Sequence, residues 1–426
     1  MKPLLEIVSR HKAGEAVGVY SVCSAHALVI EAACRRAVRQ AGYALVEATS
    51  NQVNQDGGYT GMRPADFVRF VQGIATRAGL PQERLLLGGD HLGPNCWQAM
   101  PAEAALQRSE QLIADYVAAG FRKIHLDCSM SCAGDPAALS DVEVAARTVR
   151  LCRVAETGWQ RGGGEAPVYV IGTEVPVPGG AHELLTTVTP TEPAAAAATI
   201  AAHRAAFGAA GLDAAWPRVV GLVVQPGVEF DHYQVVDFRP ERAGGLADLI
   251  AGHPHMVYEA HSTDYQTGSN LAALVRNHFA ILKVGPGLTF ALREALWALA
   301  LLEREWLPAE RRSGLRESVM AAMAANPQHW QKYYLSAGKQ LELDQQFSLS
   351  DRLRYYWPAP AVEQALARLL ANLEATPPPL TLLSQFMPRQ YAAVRAGSLG
   401  MSARAWVLHH VDLVLQQYAA ACGDAG

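Results

Sequence analysis

The sequence predicts a single (β/α)8 barrel with an additional helical region at its C-terminal end. Three observations carry that expectation. Eight short apolar runs alternate with longer segments of helical spacing from residue 17 to about residue 304. Each run is nearly continuous in Val, Ile and Leu, as strands buried on both faces should be. The chain has 426 residues, which exceeds the ~250 of a typical barrel and leaves more than a hundred for an appendage.

The first run is VGVYSVC (17–23), followed by a helical segment over 26–41. ALVEAT (44–49) comes next, and a helix opens at Asp66 and Phe67 after Arg63-Pro64, because proline suits the first helical turn. RLLLGG (84–89) precedes helical spacing over 103–120, and KIHLDC (123–128) precedes 140–157. VYVIGTEV (168–175) lies between RGGG (161–164), which reads as a surface turn, and AAAAAT (194–199), which reads as a helix interior. VVGLVVQ (219–225), HMVYEA (255–260) and FAILKVG (279–285) complete the set, with a last barrel helix over 287–304. An open doubly wound sheet is the competing architecture, but the G-x-G-x-x-G turn it usually carries is absent after the first strand. The barrel is therefore assigned to 1–304 and a helical extension packed on it to 305–426, where Tyr355, Tyr356 and Trp357 read as packing residues.

Composition narrows the function classes. Half the residues are hydrophobic, 18% are charged and the net charge is -4, so the chain is globular and has no bias toward nucleic acid or an anionic membrane. Seven scattered cysteines form no disulfide framework, which points to the cytoplasm, and the Cys128/Cys132 pair reads as ordinary thiols rather than a zinc pair. Glu6, Arg10, His11 and Lys12 interrupt the N-terminus where a signal peptide needs an apolar run.

Chemistry in such barrels sits at the C-terminal ends of the strands. Here each run is followed by polar residues: Ser50 and Asn51, then Gln52, Asn54, Gln55 and Asp56 after the second; Asp90-His91 at the third; His125, Asp127 and Ser129 at the fourth. Glu174 lies on the fifth, Gln225, Glu229, Asp231 and His232 follow the sixth, Glu259, His261 and Asp264 mark the seventh, and Lys283 the eighth. His91, His261 and one or two of Glu174, Glu229 and His232 can meet around one divalent cation, since imidazole and carboxylate suit Zn2+ or Mn2+. Lys283 offers a second route, as a Schiff-base amine, beside its simpler role of pairing with a carboxylate or phosphate.

The segments YSVCSAH, EATSNQVNQDGGYTGM, GGDHLGPN, KIHLDCSMSC, GTEVPVPGGAHE, QPGVEFDH, EAHSTDYQT and HFAILKVGPGLTFALREAL resemble the GatZ/KbaZ family, known as a subunit of D-tagatose-1,6-bisphosphate aldolase. The resemblance continues through FSLSDRLRYYWP near 347–358. A more distant resemblance to class II aldolases implies that Asp90 is catalytic, His91 and His261 bind metal, and GTEVPVPGGAHE, which holds Glu174, corresponds to a second catalytic stretch. Two places depart from that pattern. PGVEFDH lacks the usual strand-six histidine, leaving Glu229 or His232 to substitute, and Ser262-Thr263-Asp264 replace a Gly-rich phosphate loop, where an aspartate repels phosphate.

The resemblance implies a metal-dependent 4-epimerase of a ketose or ketose 6-phosphate of the tagatose/fructose type, working by retro-aldol and aldol steps, or else a non-catalytic subunit stabilising a class II aldolase. Ser50, Asn51, Gln55, Asn95, Asp127, Ser129, Gln225, Glu259, Asp264 and Lys283 are the expected substrate contacts. Zn2+ is the expected metal, with Mn2+, Ni2+ or Co2+ as alternatives. The expected partners are the ketose, a catalytic aldolase chain and further copies of this chain. Arg352 and Arg354 are placed to reach a phosphate.

Overall fold

The computed structural model describes residues 1–173 and 188–423. Eight parallel strands close into a barrel in sequential order: β1 (Val19–Val22), β2 (Ala44–Thr49), β3 (Leu85–Leu92), β4 (Lys123–Leu126), β5 (Val168–Ile171), β6 (Val219–Val223), β7 (Val257–Ala260) and β8 (Ile281–Val284). The seam is sealed by β1 and β8, with Val19 opposite Ile281 and Val22 opposite Val284. Every apolar run thus becomes a strand, and most strands are shorter than their runs because the ends turn outward into loops.

The helices fall where the spacing places them. Pro64–Ala78 begins at the proline, and the Arg63 backbone N–H donates to the Asp66 carboxylate at 3.1 Å, closing the helix start. The alanine tract lies inside Pro193–Ala209, and RGGG ends the helix Asp141–Gly162, with Gly163 and Gly164 at positive φ. Two features have no counterpart in the sequence reading. A helix over Lys2–Lys12 plugs the N-terminal end of the barrel, where Leu4 and Val8 pack on Val19, Leu45, Leu86, Val257 and Ile281. A small hairpin pairs Glu229–Phe230 with Val235–Val236 beyond β6.

Strand alternation sorts the barrel interior into layers. The apolar layer on the N-terminal plug comes first. Two residues further along each strand stand Glu47, Lys123, Glu259 and Lys283, and beyond these Asp90, His125 and His261. Gly88 makes room for this second layer: a Cβ there would sit 2.8 Å from Cγ of Glu47.

The C-terminal region contains helices Leu315–Ala325, Gly338–Phe347, Pro360–Ala375, Leu380–Phe386, Pro388–Arg395 and Ala403–Ala421. The last of these packs against Ala27–Arg39, Gly268–Arg276 and Pro286–Trp306. Its Tyr418 hydroxyl donates to the Thr263 carbonyl at 2.7 Å, and the Cys422 carbonyl accepts from Gly18 just ahead of β1. Tyr356 and Trp357 are buried, as packing residues should be, while Tyr355 is only partly covered. No helix among the described residues is long and apolar enough to cross a membrane.

Candidate functional site

At the C-terminal ends of the strands, Asp90, His91, His261 and Lys283 line one cleft of about 80 Å³. Asp90 and His91 are adjacent in sequence, so regular alternation would point one of them away. The chain avoids this with a register shift between Gly89 and Leu92 against β4 and with a left-handed His91, φ 48°. Such a backbone costs energy in a non-glycine residue and is held here by its surroundings. The Ser50 hydroxyl supplies part of that hold by donating to the His91 carbonyl at 2.8 Å.

Three imidazoles gather there. Ring centroids of His91, His125 and His261 lie 4.8 to 5.3 Å apart. His91 Nδ1 donates to Asp127 Oδ2 at 2.7 Å, and although burial opposes charge on the ring, Asp90 and Asp127 raise its pKa above the usual imidazole value. Ser129 braces Asp127 in turn, its hydroxyl donating at 2.6 Å. His125 Nδ1 is 2.9 Å from Asp90 Oδ1, while its buried Nε2 has no hydrogen-bond partner. Burial pushes the His261 imidazole down to about 4, so it is neutral near pH 7, with Nε2 3.1 Å from Glu259 Oε1.

Below the imidazoles lies a buried ionic layer. Lys123 is 2.7 Å from Glu47 and 2.6 Å from Glu259, contacts that are ionic rather than aligned hydrogen bonds. Lys283 pairs with Glu47 and with Asp90 at 3.1 Å. Burial opposes the charge on Lys283, but Asp90, Glu47 and Glu259 outweigh it and hold the amine protonated well above its usual range. Burial likewise opposes ionisation of Asp90, yet Lys283, His91 and the hydrogen bond from His125 keep its carboxyl well below the usual range. The Schiff-base route is therefore unfavourable, because a lysine so held has no free lone pair.

Donor atoms of Asp90, His125, Glu259 and His261 lie within 4.8 Å of one another, a buried set able to hold a metal ion that does not include the expected ligand His91. The charge balance leans the same way. Four buried carboxylates (Glu47, Asp90, Asp127 and Glu259) face two buried lysines and a His91 whose charged form Asp90 and Asp127 favour, leaving net negative charge that a cation would offset. The unpartnered Nε2 of His125 is a further free ligand atom.

The remaining expected site residues divide. Asn51 and Asp264 line the cleft. Asp264 Oδ1 accepts from the backbone of Gly285 at 2.9 Å and Gly287 at 2.7 Å, capping the helix that follows β8. Burial pushes its carboxyl up to about 6. Glu229 is buried in the hairpin, accepts from the Phe230 N–H at 3.0 Å and is pushed by burial up to about 7, but it is not part of the metal-ligand group. His232 stands apart from that group as well: Nε2 donates to the Tyr333 carbonyl at 2.9 Å and Nδ1 lies 3.1 Å from Ser350 Oγ, so neither nitrogen faces the cluster. Gln225 closes its own turn through Gly227 and Val228, Gln55 donates to the Arg108 carbonyl, and Asn95 accepts from Gln98. Glu174, with the rest of 174–187, lies outside the described residues.

The sequence reading gave Glu47, Lys123 and His125 no role in the site. Their signal is polar residues two apart inside apolar runs, Lys123-x-His125-x-Asp127 above all, which puts all three on one face of β4.

The family described as D-tagatose-1,6-bisphosphate aldolase subunit GatZ/KbaZ-like matches residues 4–423. The chain belongs to that family. A solved structure from Sinorhizobium meliloti 1021, described as a probable tagatose 6 phosphate kinase, is 50% identical, with a TM-score of 0.88 over 95% of this chain and 100% of that one. The YdjI aldolase from Escherichia coli K12 is 12% identical, with a TM-score of 0.41 over 85% of this chain and 93% of its own. Fructose-bisphosphate aldolase from Campylobacter jejuni is 14% identical, with a TM-score of 0.40 over 87% and 91%. Within this GatZ/KbaZ-like chain, the C-terminal region reaches the strand ends, since Arg354 and Tyr355 line the same cleft as Asp90 and His261.

Proposed function

We propose that this GatZ/KbaZ-like chain is a metal-dependent 4-epimerase of a ketohexose or its 6-phosphate, with Zn2+ as the preferred ion. The observation that supports it most is the surplus of buried negative charge around His91, His125 and His261 at the floor of a cleft. A divalent cation bound there supplies electrophilic polarisation to a ketose carbonyl and its neighbouring hydroxyl.

The residues of the chain do the rest. Asp90, held ionised by Lys283, accepts the C4 hydroxyl proton as the C3–C4 bond breaks and its electron pair moves toward the C2 carbonyl oxygen. The aldehyde fragment turns over, C3–C4 re-forms on its other face, and the proton returns from Asp90 to the C4 oxygen. Lys283 and His125 keep Asp90 aimed at that oxygen, while Asp127 holds His91 through its Nδ1.

The second reading is a non-catalytic subunit that stabilises a class II tagatose-bisphosphate aldolase. The cleft favours it in one respect: about 80 Å³ is well below the ~300–1,000 Å³ usual for a small-molecule site. Against this, Arg354 and Tyr59 also line a neighbouring cavity of about 430 Å³. The deciding experiment incubates the purified, metal-loaded chain alone with tagatose, fructose and their 6-phosphates. Interconversion is expected. Its absence, with a longer lifetime of a co-expressed aldolase, sinks the epimerase reading.

A further inference from the structure

In many (β/α)8 barrels a substrate anion rests on a helix N-terminus beyond the last strands. In this chain that place is filled from within. Asp264 Oδ1 takes the N–H groups of Gly285 and Gly287, which are the donors an incoming phosphate would need. A Cβ on residue 287 would sit 3.1 Å from the same oxygen, so glycine permits the close approach. The carboxylate acts as a built-in anion, and a second anion beside it is repelled at short range.

The cleft nevertheless contains a cation with no direct carboxylate partner, on which Asp351 and Asp264 act only from beyond ion-pair distance. Arg354 lines it together with Asp90, His91 and His261. Its Nη1 donates to the carbonyls of Ser350 and Asp351, and Nη2 to the Tyr355 hydroxyl at 3.3 Å. Among the described residues no carboxylate forms an ion pair with it. Lys283 and Lys123, by contrast, are each paired to more than one carboxylate. The carbonyl contacts fix the guanidinium without cancelling its charge, and donors on Nη2 and Nε remain beyond those bonds. Arg354 also lines the 430 Å³ cavity, so one guanidinium borders both spaces. Tyr59 meets Tyr355 edge-on at 4.5 Å beside it, forming a rigid wall.

We propose that Arg354, carried into the barrel mouth by the C-terminal region, receives the terminal oxyanion of the substrate in place of the helix N-terminus that Asp264 closes. This rests on the reading of the cleft as a ketose site and deepens it: the substrate carries one anionic terminus, a phosphate or a carboxylate, at the end remote from the imidazoles. A planar guanidinium binds either group through paired hydrogen bonds.

Calorimetric titration of the metal-loaded full chain with fructose, fructose 6-phosphate and fructuronate tests this. At least one anionic ketose is expected to bind about tenfold or more tightly than fructose. Arg354→Gln, which keeps a polar but uncharged side chain there, should bring the affinity for the anionic ketose down to that for fructose. Preference for the phosphate alone or the carboxylate alone identifies the oxyanion, and preference for both supports a general one. Should the Gln variant not fold, Arg354→Lys is measured instead and should lose several-fold in anion affinity only. The proposal is overturned if neither anion outcompetes fructose, or if the preference survives the substitution at Arg354. Binding is measured rather than turnover, so a chain that prefers anions through Arg354 yet interconverts nothing sinks the epimerase and leaves the oxyanion site standing.

Discussion

His91 Nδ1 and Asp127 Oδ2 are 2.7 Å apart in the buried floor of the cleft, so the carboxylate sets which imidazole nitrogen faces inward. Asp127→Asn keeps the shape but can present an N–H where an acceptor is needed. Chelator competition on the purified variant should show metal affinity lower by about 10–100-fold, the usual effect of losing such a partner. Unchanged affinity would remove His91 from the metal site.

His125 and His232 make opposite predictions. His125→Ala removes a ligand atom that has no other partner, and elemental analysis should find the variant largely metal-free. His232→Ala should retain its metal but lose about 1–3 kcal/mol of stability, because the Tyr333 carbonyl and Ser350 hydroxyl lose their partner. The reverse outcome, metal lost from His232→Ala and retained in His125→Ala, would move the site to the hairpin.

Lys283 should resist trapping. With Glu47 and Asp90 holding it protonated, borohydride added with dihydroxyacetone phosphate should leave the mass of the chain unchanged. A reduced adduct on Lys283 would restore the Schiff-base route. Lys283→Met leaves buried carboxylates without their cation, and chemical denaturation should show a loss of about 3–5 kcal/mol.

Asp264 gives stability a pH dependence of known sign. Burial raises its carboxyl to about 6 in the fold, against an ordinary 3.8, so the protonated form is the one the fold favours. Its contribution is fully present below about pH 4 and is lost as pH rises through 6. Asp264→Asn should remove that loss: relative to wild type, the variant gains on the order of 3 kcal/mol between those pH values, read as a difference in Tm. Parallel pH profiles for the two proteins would show that the group titrates normally.

The barrel is legible in the sequence because burial on both faces writes long apolar runs, and Asp90, His91 and His261 are legible because barrels place chemistry after those runs. Glu47 and Lys123 are harder to read. They sit inside their runs, and their partners come from strands far apart in sequence, so only closure of the barrel shows that each charge is answered. The role of His125 depends on the same closure. The reach of Asp90 and His91 into one cleft needs a left-handed φ that no composition rule signals at a histidine. Arg354 is visible as a basic residue, but its place depends on how more than forty residues of helices and turns fold back from Trp306.

The helix Ala403–Ala421 lies against the first and last helices of the barrel, and the chain just beyond it bonds to Gly18 at the seam. Gly18 and Cys422 therefore meet at one joint, so a cut or a destabilising change in the helix Ala403–Ala421 loosens the barrel at its seam although about four hundred residues separate the two in sequence.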